Sequence, residues 1–296
     1  MQEKVTFVSD GLKLSGVLTL PSDYKAGEKR PAIVVLHGFG SNKSSSNVTG
    51  PCEIVSKRGY VTLGFDMRGC GDSEGKKANL ICLEQVADTS SAVTFLQGRQ
   101  EVDGARIGLL GSSFGAAVAV YTGSVDKRVA AVISSGGWGD GERKFRGQHV
   151  GAEAWSKFTG MLAEGKRHRE KTGESLMVPR YDIVPIPPEL RGHLAQGSIQ
   201  MFTAETAQSM YDFRADDVVH QMAPRPLLLL HSSVDTVTPT EQSIELFKRA
   251  GQPTDLHLFA ETDHFMFSAE NVRVHNVVFD WLDRNFPVTA KQPALA

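Results

Sequence analysis

Cysteine is scarce in this chain. Cys52, Cys70 and Cys82 are the three it has in 296 residues, and no two form a C-x-x-C pair. They read as reduced, structural thiols of a cytoplasmic protein. A surplus of one charge is also missing. Lys and Arg number 32 against 34 Asp and Glu, a net charge of −2. The strong basic excess of a nucleic-acid binder is absent. Long apolar runs are missing as well: the stretches Ala32 to Leu36 and Leu227 to Leu230 are far too short to cross a membrane. The N-terminus, Met1-Gln2-Glu3-Lys4, lacks the basic start and apolar run of a signal peptide. Neither H-E-x-x-H nor H-x-x-E-H occurs, and no dinucleotide-binding fingerprint is present, so no metal or cofactor is expected. The expected partner is a small molecule, not nucleic acid or a membrane, and homodimer formation is left open.

What is present is an ordinary globular composition, 41% hydrophobic and 22% charged. A chain of this length buries roughly three quarters of the surface its unfolded form exposes. Val5 to Val8 and Leu12 to Leu20 bracket Asp10-Gly11 and predict a hairpin. Ala32 to Leu36 predicts a strand buried on both faces. After it come a helix from about Pro51 to Arg58, a strand Val61 to Phe65 and a helix Leu83 to Leu96. A strand Arg106 to Leu110, a helix Phe114 to Tyr121 and a strand Val129 to Ile133 follow. Strands alternating with helices predict an α/β fold with a mostly parallel central sheet flanked by helices.

The alternation breaks after Ser134-Ser135-Gly136-Gly137. From Trp138 to about Arg214 no buried strand is predicted. Ala152 to Ala163 and Thr203 to Phe213 have helical spacing, and Met177 to Leu190 is proline-rich. Strands return at Leu227 to Leu230 and Leu256 to Phe259, with helices Thr240 to Ala250 and Val272 to Leu282. The reading is one core, residues 1–136 and 215–290, with an inserted helical cap at 137–214 and a loose tail at 291–296.

Gly111-Ser112-Ser113-Phe114-Gly115 fits G-x-S-x-G. Chance supplies that pattern in roughly one chain in ten of this length. Its position between a buried strand and a helix is the setting the motif needs: a sharp turn lifts the hydroxyl out of the sheet toward the helix N-terminus. Ser113 is the centre, because only it has glycines two residues away on both sides. A serine needs a base. Of nine histidines, His264 follows the last strand in a short loop, where catalytic groups gather in such sheets. His37 and His231 end strands and read as structural. The imidazole needs a carboxylate to fix its tautomer, and Asp235, in the loop after Leu227 to Leu230, is the candidate. Asp263, next to His264, is expected to point elsewhere. A developing oxyanion needs fixed N–H donors. Phe114 supplies one, and Phe39, within His37-Gly38-Phe39-Gly40, the other.

With these residues in place the sequence resembles the α/β-hydrolase superfamily over nearly its whole length. The segment Asp66-Met67-Arg68-Gly69-Cys70-Gly71-Asp72-Ser73 resembles the D-x-R-G-x-G-x-S stretch common after the fourth strand. The order Ser, Asp, His agrees with that superfamily. The chain is most similar to small bacterial feruloyl/cinnamoyl-type esterases and to dienelactone-hydrolase and S15-peptidase-like relatives. Many of those esterases carry His before the serine and Met after it, where this chain has Ser112 and Phe114. The resemblance implies a serine esterase: Ser113 attacks an acyl carbonyl, His264 moves the proton, and water releases the acyl group. Trp138, Trp155 and Tyr181 are candidate substrate contacts for an apolar or aromatic acyl group. The same triad serves amidases, peptidases and C–C bond hydrolases, and a non-catalytic receptor is a further alternative. The basic run Lys166-Arg167-His168-Arg169 reads as a solvated helix face.

Overall fold

The computed structural model describes residues 1–267 and 271–289. The expected loose tail at 291–296 lies outside the described residues. β1 (Gln2–Ser9) and β2 (Leu12–Thr19) form the hairpin, turned at Asp10-Gly11 with φ of 48° and 81°. The chain continues through β3 (Arg30–Leu36), α1 (Ser46–Ser56), β4 (Val61–Phe65), α2 (Cys82–Gln97), β5 (Val102–Ser112), α3 (Phe114–Val125) and β6 (Val129–Ser135). Next come α4 (Gly141–Gln148), α5 (Ala152–Thr172), β7 (Met177–Pro179), α6 (Arg180–Ile183), β8 (Met201–Thr203) and α7 (Ala204–Asp212). The order closes with β9 (Leu227–Ser232), α8 (Glu241–Arg249), β10 (Thr254–Phe259) and α9 (Val272–Asn285).

Eight strands make the main sheet in the order β1-β2-β4-β3-β5-β6-β9-β10. β1, β2 and β4 pair antiparallel, and every pair from β4 to β10 is parallel. Central strands are apolar throughout because both sheet faces are covered. In β3, Val34 and Leu36 face a core that includes Val86, Val93, Leu96 and Val118 from α2 and α3. Ile33 and Val35 face the opposite core with Val48 and Val55 of α1 and Val278 and Trp281 of α9.

α5 runs nine residues past the expected Ala163, α4 is not among the expected helices, β5 starts four residues early, and two further differences have a clear physical reason. α1 begins at Ser46, five residues before Pro51. Val48, Pro51, Cys52 and Val55 are buried at helical spacing, and this apolar stripe on the sheet carries the helix through the proline. Between β6 and β9 there is a small antiparallel ribbon, β7 with β8. Strands of three residues are too short to leave an alternating pattern, so sequence periodicity misses them.

Register positions the site. Leu36 of β3 lies beside Gly111 of β5, Ser112 beside Ser135 of β6, Ser135 beside Leu230 of β9, and Ser232 beside Phe259 of β10. The loops leaving β3, β5, β6, β9 and β10 therefore emerge at one sheet edge, the carboxyl ends of the parallel strands.

Candidate active site

Ser113 occupies the one-residue turn between β5 and α3, at φ 56° and ψ −115°. A non-glycine residue held there stores of order 1–3 kcal/mol of strain. Its N–H donates to Ser135 O at 2.8 Å, and its carbonyl accepts from Ala116 N at 3.0 Å. The flanking glycines are required by contact. A Cβ on Gly111 would lie 2.1 Å from Gly115 O, and one on Gly115 would lie 2.6 Å from His37 O.

His264 Nδ1 is 2.8 Å from Asp235 Oδ2, and both side chains are almost fully buried. A carboxylate only accepts, so Nδ1 carries the proton and Nε2 keeps its lone pair. The other carboxylate oxygen accepts from Val237 N at 2.8 Å and Thr238 N at 2.6 Å. Burial alone would raise the Asp235 carboxyl. Hydrogen bonds from His264 and His231, and the attraction of the carboxylate for either ring when it is protonated, outweigh it and hold the group below the usual carboxylate range. Asp263 turns away from the imidazole, accepting from Thr236 N, Thr236 Oγ1 and its neighbour His264 N. It braces the Asp235 loop against the His264 loop. Gly136, at φ 64°, lies against the imidazole: a Cβ there would be 3.2 Å from His264 Cε1.

His231 shares Asp235. Its Nε2 is 2.9 Å from Thr238 O and 3.3 Å from Asp235 Oδ2, and its Nδ1 is 2.6 Å from Ser243 Oγ. Both Nε2 neighbours are acceptors, so Nε2 bears the hydrogen and steadies the carboxylate. The sequence signal was available as a histidine four residues before the aspartate, one strand end supplying both.

The Gly38–Gly40 loop runs beside the nucleophile, with Gly38 close enough that a Cβ would sit 3.7 Å from Ser113 Cβ. His37 anchors it from below. Met67 N donates to its Nε2 at 3.2 Å, so Nδ1 donates to Gly38 O at 2.8 Å. Burial keeps this ring neutral. Among the described residues, the N–H groups of Phe39 and Phe114 find no acceptor. Ser113, His264, Gly38 and Phe39 line one cleft with Asn47, Arg180, Val184, Ile186, Leu194, Val237 and Phe265. Its free volume is about 30 Å³, enough for a water molecule or two. His193 roofs it, stacked on Phe265 at 5.0 Å.

This arrangement puts a serine and a carboxylate-paired histidine in one cleft, close to two N–H groups without acceptors. The family described as "Serine aminopeptidase, S33" matches residues 27–271. The chain belongs to that α/β-hydrolase family. Relatives of this S33 hydrolase include the uncharacterized protein PA2218 of Pseudomonas aeruginosa, 30% identical over 77% of this chain. The alignment spans 66% of that relative's length. The thiohydrolase aneE of Aspergillus aculeatus is 27% identical over 86% of this chain and 83% of its own. The crystal structure of the α/β hydrolase GrgF from Penicillium sp. has the same fold: TM-score 0.78 at 21% identity, covering 96% of this chain and 99% of that one.

Several residues of this S33 hydrolase lie away from the cleft. Trp138 is buried behind it, its ring 5.7 Å from Phe114 and 6.3 Å from Phe213. Trp155 packs on Phe158 and Tyr211 under Arg146, and Tyr181 lies beneath Arg191. None of the three is among the cleft-lining residues. Instead the lining from the 137–214 segment is Arg180, Val184, Ile186, His193, Leu194 and Ala195, in and just after the proline-rich stretch, where periodicity carries no signal. The Asp66–Ser73 segment is a structural knot. Asp66 accepts from Lys43 N and Nζ and from Asp72 N, and Arg68 pairs with buried Asp88. Lys166, Arg167 and Arg169 are on the exposed face of α5, with Arg167 paired to Glu164. Cys52, Cys70 and Cys82 are buried and unbridged, their thiols pushed up to about 12 by burial. Among the described residues no cluster could hold a metal ion, and no helix is long and apolar enough to cross a membrane.

Proposed function

We propose that this hydrolase cleaves a carboxylic ester with a small or medium apolar or aromatic acyl group, through an acyl-enzyme on Ser113. The observation that carries the reading is that His264, paired with Asp235 at 2.8 Å, lines one cleft with a serine held at φ 56°. His264 Nε2 takes the hydroxyl proton as Ser113 Oγ bonds to the acyl carbon. The Phe39 and Phe114 N–H groups hold the tetrahedral oxyanion. His264 returns the proton to the leaving oxygen as the C–O bond breaks. Water then attacks the acyl carbon by the same proton route and releases the carboxylic acid. Val184, Ile186, Leu194, Val237 and Phe265 give the acyl group apolar surroundings. An acyl chain is larger than a cleft of about 30 Å³, and the 137–214 segment, which we read as a cap and which contributes much of the lining, is the part we expect to shift to admit it. Buried free thiols suit a reducing compartment such as the cytoplasm.

A thioester is a second reading. It requires the same steps with sulfur as leaving atom, and the relative named as a thiohydrolase supports it. The test is turnover of p-nitrophenyl esters from acetate to decanoate, an aryl ester, matching acyl thioesters and an aminoacyl anilide. Wild type and Ser113→Ala are compared. The expected result is ester or thioester turnover with an acyl-size optimum, reduced about 10³-fold or more in Ser113→Ala. Activity that survives Ser113→Ala, or appears only on the anilide, overturns the reading.

A further inference from the structure

Arg180 is a buried cation with no acidic partner. It opens α6, is 2% exposed, and among the described residues pairs with no carboxylate. Burial drags its guanidinium down to about 10, and its Nε has no hydrogen-bond acceptor. Such a group is costly to bury, so what it touches matters. Its Nη2 donates to Phe39 O, in the loop beside Ser113, and its Nη1 donates to Ile199 O at 2.7 Å. Its guanidinium lies 5.2 Å from the Phe39 ring and 5.8 Å from the Phe202 ring. Those two rings stack at 4.2 Å, an interplanar angle of 20°. Ile199 N closes the clasp by donating to Gly40 O at 2.9 Å. Gly40 leaves no slack: at φ 54°, a Cβ there would be 2.3 Å from Phe202 Cζ.

We propose that Arg180 is a positioning residue that holds the Phe39 N–H where the oxyanion of the reaction forms. The inference rests on the proposed serine mechanism. The Phe39 N–H belongs to the peptide whose carbonyl is Gly38 O, and His37 holds that oxygen at 2.8 Å. The next peptide, whose carbonyl is Phe39 O, is held by Arg180. Phe39 is thus clamped on both sides, by a neutral histidine from the sheet and by an arginine from beyond β6. A planar fork serves two carbonyls and two ring faces at once; an ammonium reaches fewer of them. The same contacts tie the position of the segment over the cleft to the donor that the transition state uses.

The test compares wild type, Arg180→Lys and Arg180→Gln on the ester the enzyme turns over best. A boronic acid bearing the same acyl group is the transition-state probe, since Ser113 Oγ adds to boron to give a tetrahedral anion. The expected result is a 10- to 100-fold fall in kcat/KM, carried by kcat, with KM within about threefold. Boronate affinity falls in the same proportion, and the acid limb of the pH–rate profile stays in place because the triad is untouched. Phe202→Leu, which loosens the same loop without removing charge, reproduces this signature more weakly and stands in if the Arg180 variants do not fold. An unchanged kcat, a loss carried by KM, or boronate affinity unaltered while kcat falls overturns the inference. Ser113→Ala separates the two claims. If it abolishes turnover while Arg180→Lys changes neither kcat nor boronate affinity, only the positioning role fails. If it leaves turnover intact, the mechanism beneath fails.

Discussion

Asp235 concentrates the residue-scale argument. One carboxylate oxygen faces two histidines and the other faces two backbone N–H groups. Asp235→Asn keeps the size but supplies an NH₂ in place of an acceptor, favouring the wrong imidazole tautomer. The expected loss in kcat is about 10⁴-fold, measured on the best ester. The stability sign follows from the depressed carboxyl. The stabilisation is fully present above the unfolded carboxylate value near 3.9 and is lost as pH falls through the lower folded value. The gap in melting temperature between wild type and Asp235→Asn therefore narrows on acidification below about pH 4. A gap that widens there contradicts the assignment. At this scale the sequence was legible where chemistry has a pattern. Ser113 is marked by its two glycines, Asp235 and His264 by their place after strands. His231 carries only its spacing of four residues from Asp235, and Arg180 carries no such mark, because its partner Phe39 lies far along the chain.

At the scale of the element, α4 holds a second buried cation. Lys144 Nζ donates to Gln148 Oε1 at 3.0 Å and lies 4.0 Å from the Phe145 ring and 4.8 Å from the Trp138 ring. Burial pulls its ammonium down to about 7. Between that value and the unfolded value near 10.4 the unfolded chain binds the extra proton, so this residue's cost to the fold shrinks as pH rises. Lys144→Met, which fills similar space without charge, is expected to raise the melting temperature at pH 7 and by less at pH 10. Equal shifts at both pH values would show that the ammonium is not buried in this way. Helices were legible as apolar stripes, α2 and α9 nearly to their ends. The β7–β8 ribbon was not, since its partners are more than twenty residues apart and its strands too short for alternation.

For the whole molecule, the sheet is both core and template. Leu229 in β9 is fully buried between β6 and β10. Leu229→Ala is expected to cost about 2–5 kcal/mol by denaturant titration, while kcat/KM of the folded protein stays within a few fold. A comparable fall in kcat/KM would mean that the core and the site are mechanically coupled. By itself the sequence determined the alternation of strands and helices, the elbow at Ser113 and the loops bearing Phe39, Asp235 and His264. Periodicity and turn chemistry are local properties of the chain, and they survive without knowledge of the fold. Only the tertiary structure decided what those loops meet. Strand register brought five loop ends to one sheet edge. Packing sent Trp138, Trp155 and Tyr181 away from the cleft and set Arg180 against Phe39. Contacts across more than a hundred residues depend on how whole surfaces fit, and no local pattern encodes that.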